Sequence, residues 1–142
     1  MKKIDFPLYF ALLFFFLIGC SSPSIKDFKK EGESITRNLV FRLEKIHSRE
    51  DLSEALPDLK YLFNELVSLI IEAKEFQRNH AELEKEPYEN KQIWTKKLRE
   101  ELIRIYKIDG GKQLMEFAQN DSLYRLSAFE NSFNKLKKQK KI

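Results

Sequence analysis

The chain has 142 residues, of which 42% are apolar, 34% are charged and 13% are aromatic, with a formal net charge of +4 and a single cysteine. One cysteine excludes an internal disulfide framework and any metal site built from several cysteines. Residues 1–19 hold five of the twelve phenylalanines, so the whole-chain composition overstates the apolar content of the part that folds. Residues 20–142 suffice for one domain with a modest core and are too few for two.

The N-terminus has the pattern of an export signal. Lys2 and Lys3 precede an unbroken apolar run over residues 8–18. A membrane-spanning helix needs about 20 apolar residues, so this run is too short to cross a bilayer and has the length of the hydrophobic region of a signal peptide. A polar segment, residues 21–24, follows directly after the string Leu17-Ile18-Gly19-Cys20.

That string resembles the lipobox of bacterial lipoproteins, and the resemblance covers about the first 20 residues. It implies cleavage between Gly19 and Cys20 and attachment of a diacylglycerol to Cys20, so that lipid holds the mature chain to a membrane of the bacterial cell envelope. More than one acyl chain gives stable anchoring. Ser21 at the next position implies the outer membrane rather than the inner one. The alternatives are a secretory signal with an incidental cysteine and a short uncleaved anchor.

Residues 20–142 are rich in helix formers, whereas valine and threonine each occur only twice in the whole chain. Apolar residues recur at spacings of three, four and seven, which predicts amphipathic helices. Because the intervening turns are short, we predict an all-α fold, an antiparallel bundle of about four helices. This part is similar to small all-helical envelope lipoproteins. The predicted organisation is a signal peptide over 1–19, a lipidated tether over 20–24, the bundle domain over 25–138 and a basic tail over 139–142.

The first predicted helix is capped by Ser24 and runs to about His47. Gly32 lies on its apolar stripe, where it would let a neighbouring backbone come close. Ser48 and Asp51 have the spacing of a capping box, which predicts the start of a second helix.

The second predicted helix is the longest and extends to about residue 84, with Leu66 near the centre of a wide apolar face. Pro57 lies inside it and would either kink the helix or divide it in two. A third helix is predicted over 87–107. Asp109-Gly110-Gly111 follows it and ends it, as glycine does when a helix stops in a left-handed conformation. A fourth helix is predicted over 112–138, with Leu136 on its apolar stripe.

The residues that could carry catalysis are few. Glu44 and His47 have the spacing of two metal ligands on one helix, but the chain has no second copy of this pair. His80 is expected at the boundary of the second helix. Serine-nucleophile motifs, phosphate-binding glycine loops and dinucleotide fingerprints do not occur. We therefore expect a protein that is not an enzyme, with no catalytic residues, cofactor or metal.

The last eight residues contain five lysines: Lys135, Lys137, Lys138, Lys140 and Lys141. Residues 20–142 carry a net charge of +3, and without these five lysines the charge is −2. The basic character therefore belongs to the tail, which argues against a nucleic-acid-binding face. The lysines either complement the dipole at a solvated helix end or contact an anionic lipid surface or another polyanion.

Three aromatic residues, Phe41, Phe117 and Tyr124, lie away from the main apolar stripes and form a candidate partner surface. They favour a membrane-anchored lipoprotein that acts as a non-catalytic protein-interaction or structural module, with an envelope protein or a second copy as its partner. The alternative is a lipid-anchored carrier that binds a small apolar ligand or lipid in the bundle core. Such a pocket would be lined by Phe28, Phe63, Phe76, Trp94 and Phe129.

Overall fold

The structure is a computed structural model that describes residues 23–81 and 93–139. These residues contain four α-helices and no strand, which confirms the predicted all-α fold. In chain order, α1 spans Ile25–Glu44, α2 Arg49–Asn79, α3 Ile93–Tyr106 and α4 Gly111–Gln139.

Capping boxes fix the start of α1 and of α2. The Ser24 hydroxyl accepts a hydrogen bond of 3.3 Å from the Asp27 N–H, and the Asp27 carboxylate accepts one of 2.8 Å from the Ser24 N–H. Ser48 and Asp51 repeat this exchange, with both distances at 3.1 Å. Each box satisfies N–H groups that a helix leaves without a partner. The predicted helix starts at Ser24 and Ser48 are confirmed.

The four helices form two antiparallel hairpins, α1 with α2 and α3 with α4, that lie side by side in the same direction. The hairpins meet where α2 contacts α4 and where α1 contacts α3. Pairing between α2 and α4 is parallel, since Lys60 lies 3.2 Å from Asp121 and Lys74 lies 2.7 Å from Glu130. Both tight turns, residues 45–48 and 107–110, therefore lie at one end of the bundle, which we call the turn end.

The opposite end, which we call the tail end, holds the N-terminus of α1 and the C-termini of α2 and α4. The buried core lies toward the turn end, since its residues come from the second half of α1 and the turn after it, the first half of α2, the end of α3 and the first turns of α4. The core residues are Leu39, Leu43, Ile46, Leu52, Leu59, Phe63, Ile105, Met115 and Ala118.

Some side chains lie elsewhere than their periodicity predicts. Leu136 was predicted on an apolar stripe but is 49% exposed, because it lies in the part of α4 beyond the core. Leu66 is only partly buried, at the edge of the core rather than at its centre. Val40 and Met115 are fully buried although neither lies on a predicted stripe. Since each helix packs against two others, it buries a wider face than one stripe.

Pro57 does not divide α2, which continues from Arg49 to Asn79 with the exposed proline inside it. The prediction for Gly32 is wrong, because a Cβ atom there would meet the Leu69 side chain at 3.4 Å rather than a neighbouring backbone. Gly110 has a φ of +67°, the left-handed conformation expected where a helix stops.

Candidate functional site

The two histidines lie next to helix ends, and each makes a local hydrogen bond four residues away in sequence. The His47 N–H donates a hydrogen bond of 2.9 Å to Asp51, and the His47 side chain is exposed. His80 follows the last residue of α2, where its Nδ1 lies 3.0 Å from the Phe76 carbonyl oxygen and its ring stacks on Phe76 at 4.2 Å. His80, expected at the boundary of the second helix, is exposed.

Within residues 23–81 and 93–139, no group of three or more His, Cys, Asp and Glu side chains is placed to hold a metal ion. The helices described over the same two ranges include none with the length and apolar character needed to cross a bilayer. Gly19 and Cys20, the predicted cleavage and lipidation site, precede the described residues.

The two aspartates that cap helices, Asp27 and Asp51, have lowered pKa values. The backbone N–H of Ser24, followed by its hydroxyl, holds the pKa of Asp27 below the ordinary value of 3.8. The backbone N–H of His47 is the largest cause that lowers the pKa of Asp51, and contacts with Ser48 add to it. Both carboxylates are therefore used to begin helices, and their lowered pKa values have a structural cause.

Phe41 lies in an open groove between α1 and α2, where 47% of it is exposed. Its ring meets the Trp94 ring of α3 edge to face, with centroids 5.5 Å apart. Tyr61 of α2, which is 62% exposed, lines the same groove of about 360 Å³. An ion pair of 2.6 Å between Arg42 and Asp58 also borders it. We call this the Phe41 groove; its remaining lining residues are Asn38, Lys45 and Leu62.

Phe117 and Tyr124 lie seven residues apart on α4, which places them on one face of the helix. They are 58% and 76% exposed, and the neighbouring Leu123 is 55% exposed. The ammonium group of Lys60 lies 4.5 Å from the centroid of the Phe117 ring, a cation–π contact across α2 and α4. The predicted partner residues therefore lie at the surface in two separate places, on α4 and in the Phe41 groove.

Of the tail lysines, Lys135, Lys137 and Lys138 are exposed in the last turns of α4. The Lys137 ammonium lies 4.9 Å from the centroid of the Phe133 ring. Lys140 and Lys141 follow the described residues. The structure thus places three of the five predicted lysines on a helix that continues to Gln139.

The five aromatic residues named for a carrier pocket are distributed over several parts of the described structure. Phe63 is buried in the core, and the Phe28 ring lies 5.5 Å from the Phe76 ring. Phe129 borders an open groove of about 620 Å³ between α2 and α4. Charged and polar side chains share that groove, among them Lys74, Gln77, Arg78, Glu130, Asn134 and Lys137.

The sequence did not predict the role of Arg104 in α3. Its guanidinium donates hydrogen bonds of 2.7 Å to the Ile46 carbonyl oxygen and 2.6 Å to the Leu43 carbonyl oxygen, both at the end of α1. Glu101 accepts a third, of 2.9 Å, from Nε. The spacing of Glu101 and Arg104 signals a pair within one helix, but no local pattern signals a contact with α1.

Comparison with family models, with curated proteins and with solved structures finds no match for this chain. The fold defines the chain as an all-α protein of two helical hairpins. The described features available for function are its exposed aromatic residues and the basic end of α4.

Proposed function

We propose that the protein is a lipid-anchored lipoprotein of the bacterial cell envelope that acts as a non-catalytic interaction or structural module. The anchor rests on the string Leu17-Ile18-Gly19-Cys20 behind a charged and apolar N-terminus. Because Ser21 follows the lipidated cysteine, the outer membrane is the expected location.

The observation that carries the interaction role is the exposure of large aromatic side chains on both hairpins. Phe41, Phe117 and Tyr124 are each about half exposed or more. Aromatic side chains contribute strongly to contacts between proteins, so these three exposed rings are available to bind a partner. The partner is an envelope protein or a second copy of this chain.

The anchor is tested in a bacterial host that processes lipoproteins. Replacing Cys20 with Ala should abolish labelling by a fatty-acid analogue and leave the precursor uncleaved, because no thiol remains to carry the diacylglycerol. Ser21→Ala is the matched control and should label and mature normally. Normal labelling of the Cys20→Ala chain would exclude lipidation at this residue.

The partner surface is tested by replacing Phe41, Phe117 and Tyr124 with serine, with crosslinking in native envelopes as the readout. Loss of crosslinked partners or of self-association is expected, while the helical circular dichroism signal persists. The control replaces Ile103 and Tyr106, two exposed apolar residues of α3, with serine. Unchanged crosslinking in the triple variant would place the contact elsewhere. Purified protein that retains lipid through delipidating washes would favour the carrier alternative.

A further inference from the structure

At the tail end of the bundle, the start of α1 and the end of α2 lie at the same height along the bundle axis. The Phe28 ring lies 5.5 Å from the Phe76 ring, so these two positions share a level along the bundle axis. Ser24, the cap of α1, lies four residues before Phe28, which places it about 6 Å farther toward the tail end.

The end of α4 reaches the same level. Arg78 of α2 lies over the Phe133 ring at 5.8 Å, and α2 and α4 run in parallel. Lys135 and Lys138 lie two and five residues beyond Phe133, which extends them about 3 to 8 Å past the level of Arg78. The lysines at the end of α4 are therefore level with Ser24 or beyond it.

Among the described residues at this end of the bundle, the end of α4 is cationic. Residues 132–139 of α4 contain three lysines and no carboxylate. In α1, Glu31 and Glu33 follow three lysines, and Asp27 lies among those lysines. That carboxylate caps α1 through Ser24. The nearest carboxylate of α4, Glu130, is paired with Lys74 at 2.7 Å. The turn end carries both signs, with Arg49 3.7 Å from Asp109.

Only three residues lie between Cys20 and Ser24, which makes four Cα-to-Cα steps. A fully extended chain of that length spans at most about 14 Å. The Debye length at physiological ionic strength is about 8 Å, so the tether would hold this end within about two Debye lengths of the anchor, and closer to the membrane surface potential whenever it is less than fully extended. The partly exposed Phe133 and the exposed Leu136 lie among these lysines, which gives the helix end the mixed character of an interfacial segment.

We propose that the tail end is a membrane-contacting surface, in which Lys135, Lys137 and Lys138 of α4 bind the headgroups of anionic phospholipids beside the anchored N-terminus. The orientation rests on the proposed lipidation of Cys20. Contact through the tail end would orient the bundle axis along the membrane normal. The turn end would then point away from the bilayer, together with the Phe41 groove, which lies nearer to the turn end than to the tail end.

The test uses the mature chain, residues 20–142, with Cys20→Ser, so that binding does not depend on a lipid. Sedimentation with vesicles compares phosphatidylcholine alone with phosphatidylcholine containing 30% phosphatidylglycerol. One variant replaces Lys135, Lys137 and Lys138 with glutamine. The matched control removes the same charge at the turn end, through Lys45→Gln, Lys107→Gln and Lys112→Gln.

The unmodified surface should bind the anionic vesicles and release them at high salt. The tail variant should bind on the order of 10- to 100-fold more weakly, whereas the control should bind within about twofold of the parent chain. Equal loss in both variants, or no loss in the tail variant, would overturn the proposal. Failure of fatty-acid labelling at Cys20 would instead contradict the anchor and leave this vesicle result standing, so the two failures are distinguishable.

Discussion

The Arg104 side chain in α3 donates a hydrogen bond of 2.6 Å to the carbonyl oxygen of Leu43, 61 residues earlier at the end of α1. Carbonyl groups in the last turn of a helix carry the negative end of its dipole. The Leu43 carbonyl oxygen also accepts the Ile46 N–H at 3.0 Å, so Arg104 adds a second, charged donor to it. A cation from the second hairpin therefore complements the end of a helix of the first hairpin, and this contact joins the two hairpins at the turn end.

Replacing Arg104 with Ala should lower the free energy of unfolding by about 2 kcal/mol, because hydrogen bonds from a charged donor contribute about 1.5–3 kcal/mol each and part of this guanidinium is exposed. Arg99→Ala is the control, since Arg99 is an exposed residue of the same helix. Urea denaturation measures both. An equal loss in the two variants would mean that Arg104 does not link the hairpins.

Leu59 and Leu66 lie two turns apart on α2 but differ in burial, since Leu59 is fully buried and Leu66 only partly. Leu59→Ala should cost about 2–5 kcal/mol, as large-to-small changes in a core do. Leu66→Ala should cost clearly less, about 1–2 kcal/mol, because part of the leucine side chain already contacts solvent. Both substitutions have the same effect on helix propensity, so their difference in thermal unfolding reports burial alone. The reverse order would place the core centre nearer Leu66.

The Asp51 cap predicts a defined dependence of stability on pH. Its pKa is lowered in the folded chain, so its stabilising contribution is full above the ordinary value of 3.8 and is lost as pH falls through the folded pKa. Asp51→Asn should therefore be less stable than the parent at pH 7, and the deficit should shrink below about pH 4. Guanidinium denaturation across this range measures it, with Glu54→Gln as control. A deficit that stays constant with pH would exclude the charge of Asp51 as the cause.

Two glycines should respond to alanine in opposite directions. In Gly111→Ala the new Cβ would overlap the carbonyl oxygen of Ile105, so the turn between α3 and α4 must shift and the chain should lose more than 1 kcal/mol. In Gly32→Ala the Cβ meets only Leu69 at ordinary contact distance, and the gain in helix propensity should stabilise the chain by about 0.5–1 kcal/mol. Melting temperatures give both signs. Stabilisation by Gly111→Ala would contradict the described turn.

Local signals predicted the helices well, because caps and periodicity act over a few residues. Ser48 and Asp51 form the predicted capping box, and Gly110 takes the predicted left-handed conformation. Pro57 left two interpretations open, since the sequence does not show how much packing holds α2 together on either side of it. The unbroken α2 agrees with buried side chains both before and after the proline, Leu52 and Leu59.

Contacts between segments that are distant in sequence could not be predicted from the sequence. The edge-to-face pair of Phe41 and Trp94 depends on α1 and α3 lying side by side, which periodicity within either helix does not reveal. The exposure of Leu136 depends on where α1 and α3 end relative to α4. The sequence indicates Phe41, Phe117 and Tyr124 as candidate partner residues because each lies away from the main apolar stripe of its helix. Tyr61 could not be predicted in the same way, since it lines the Phe41 groove only because α1 packs against α2.

The position of the core has a consequence for how the molecule opens. Four helices share a core near the two turns, but beyond Leu69 in α2 and beyond Ser122 in α4 the described side chains are half-buried or exposed. Backbone amides protected by local contacts alone exchange with solvent at a lower free-energy cost than those that need global unfolding. Amide hydrogens in residues 126–139 should therefore exchange much sooner than those around Met115. The bundle would then fray from its tail end while the turn end keeps its structure, so the surface proposed to meet the membrane is also the most easily reshaped part of the described fold.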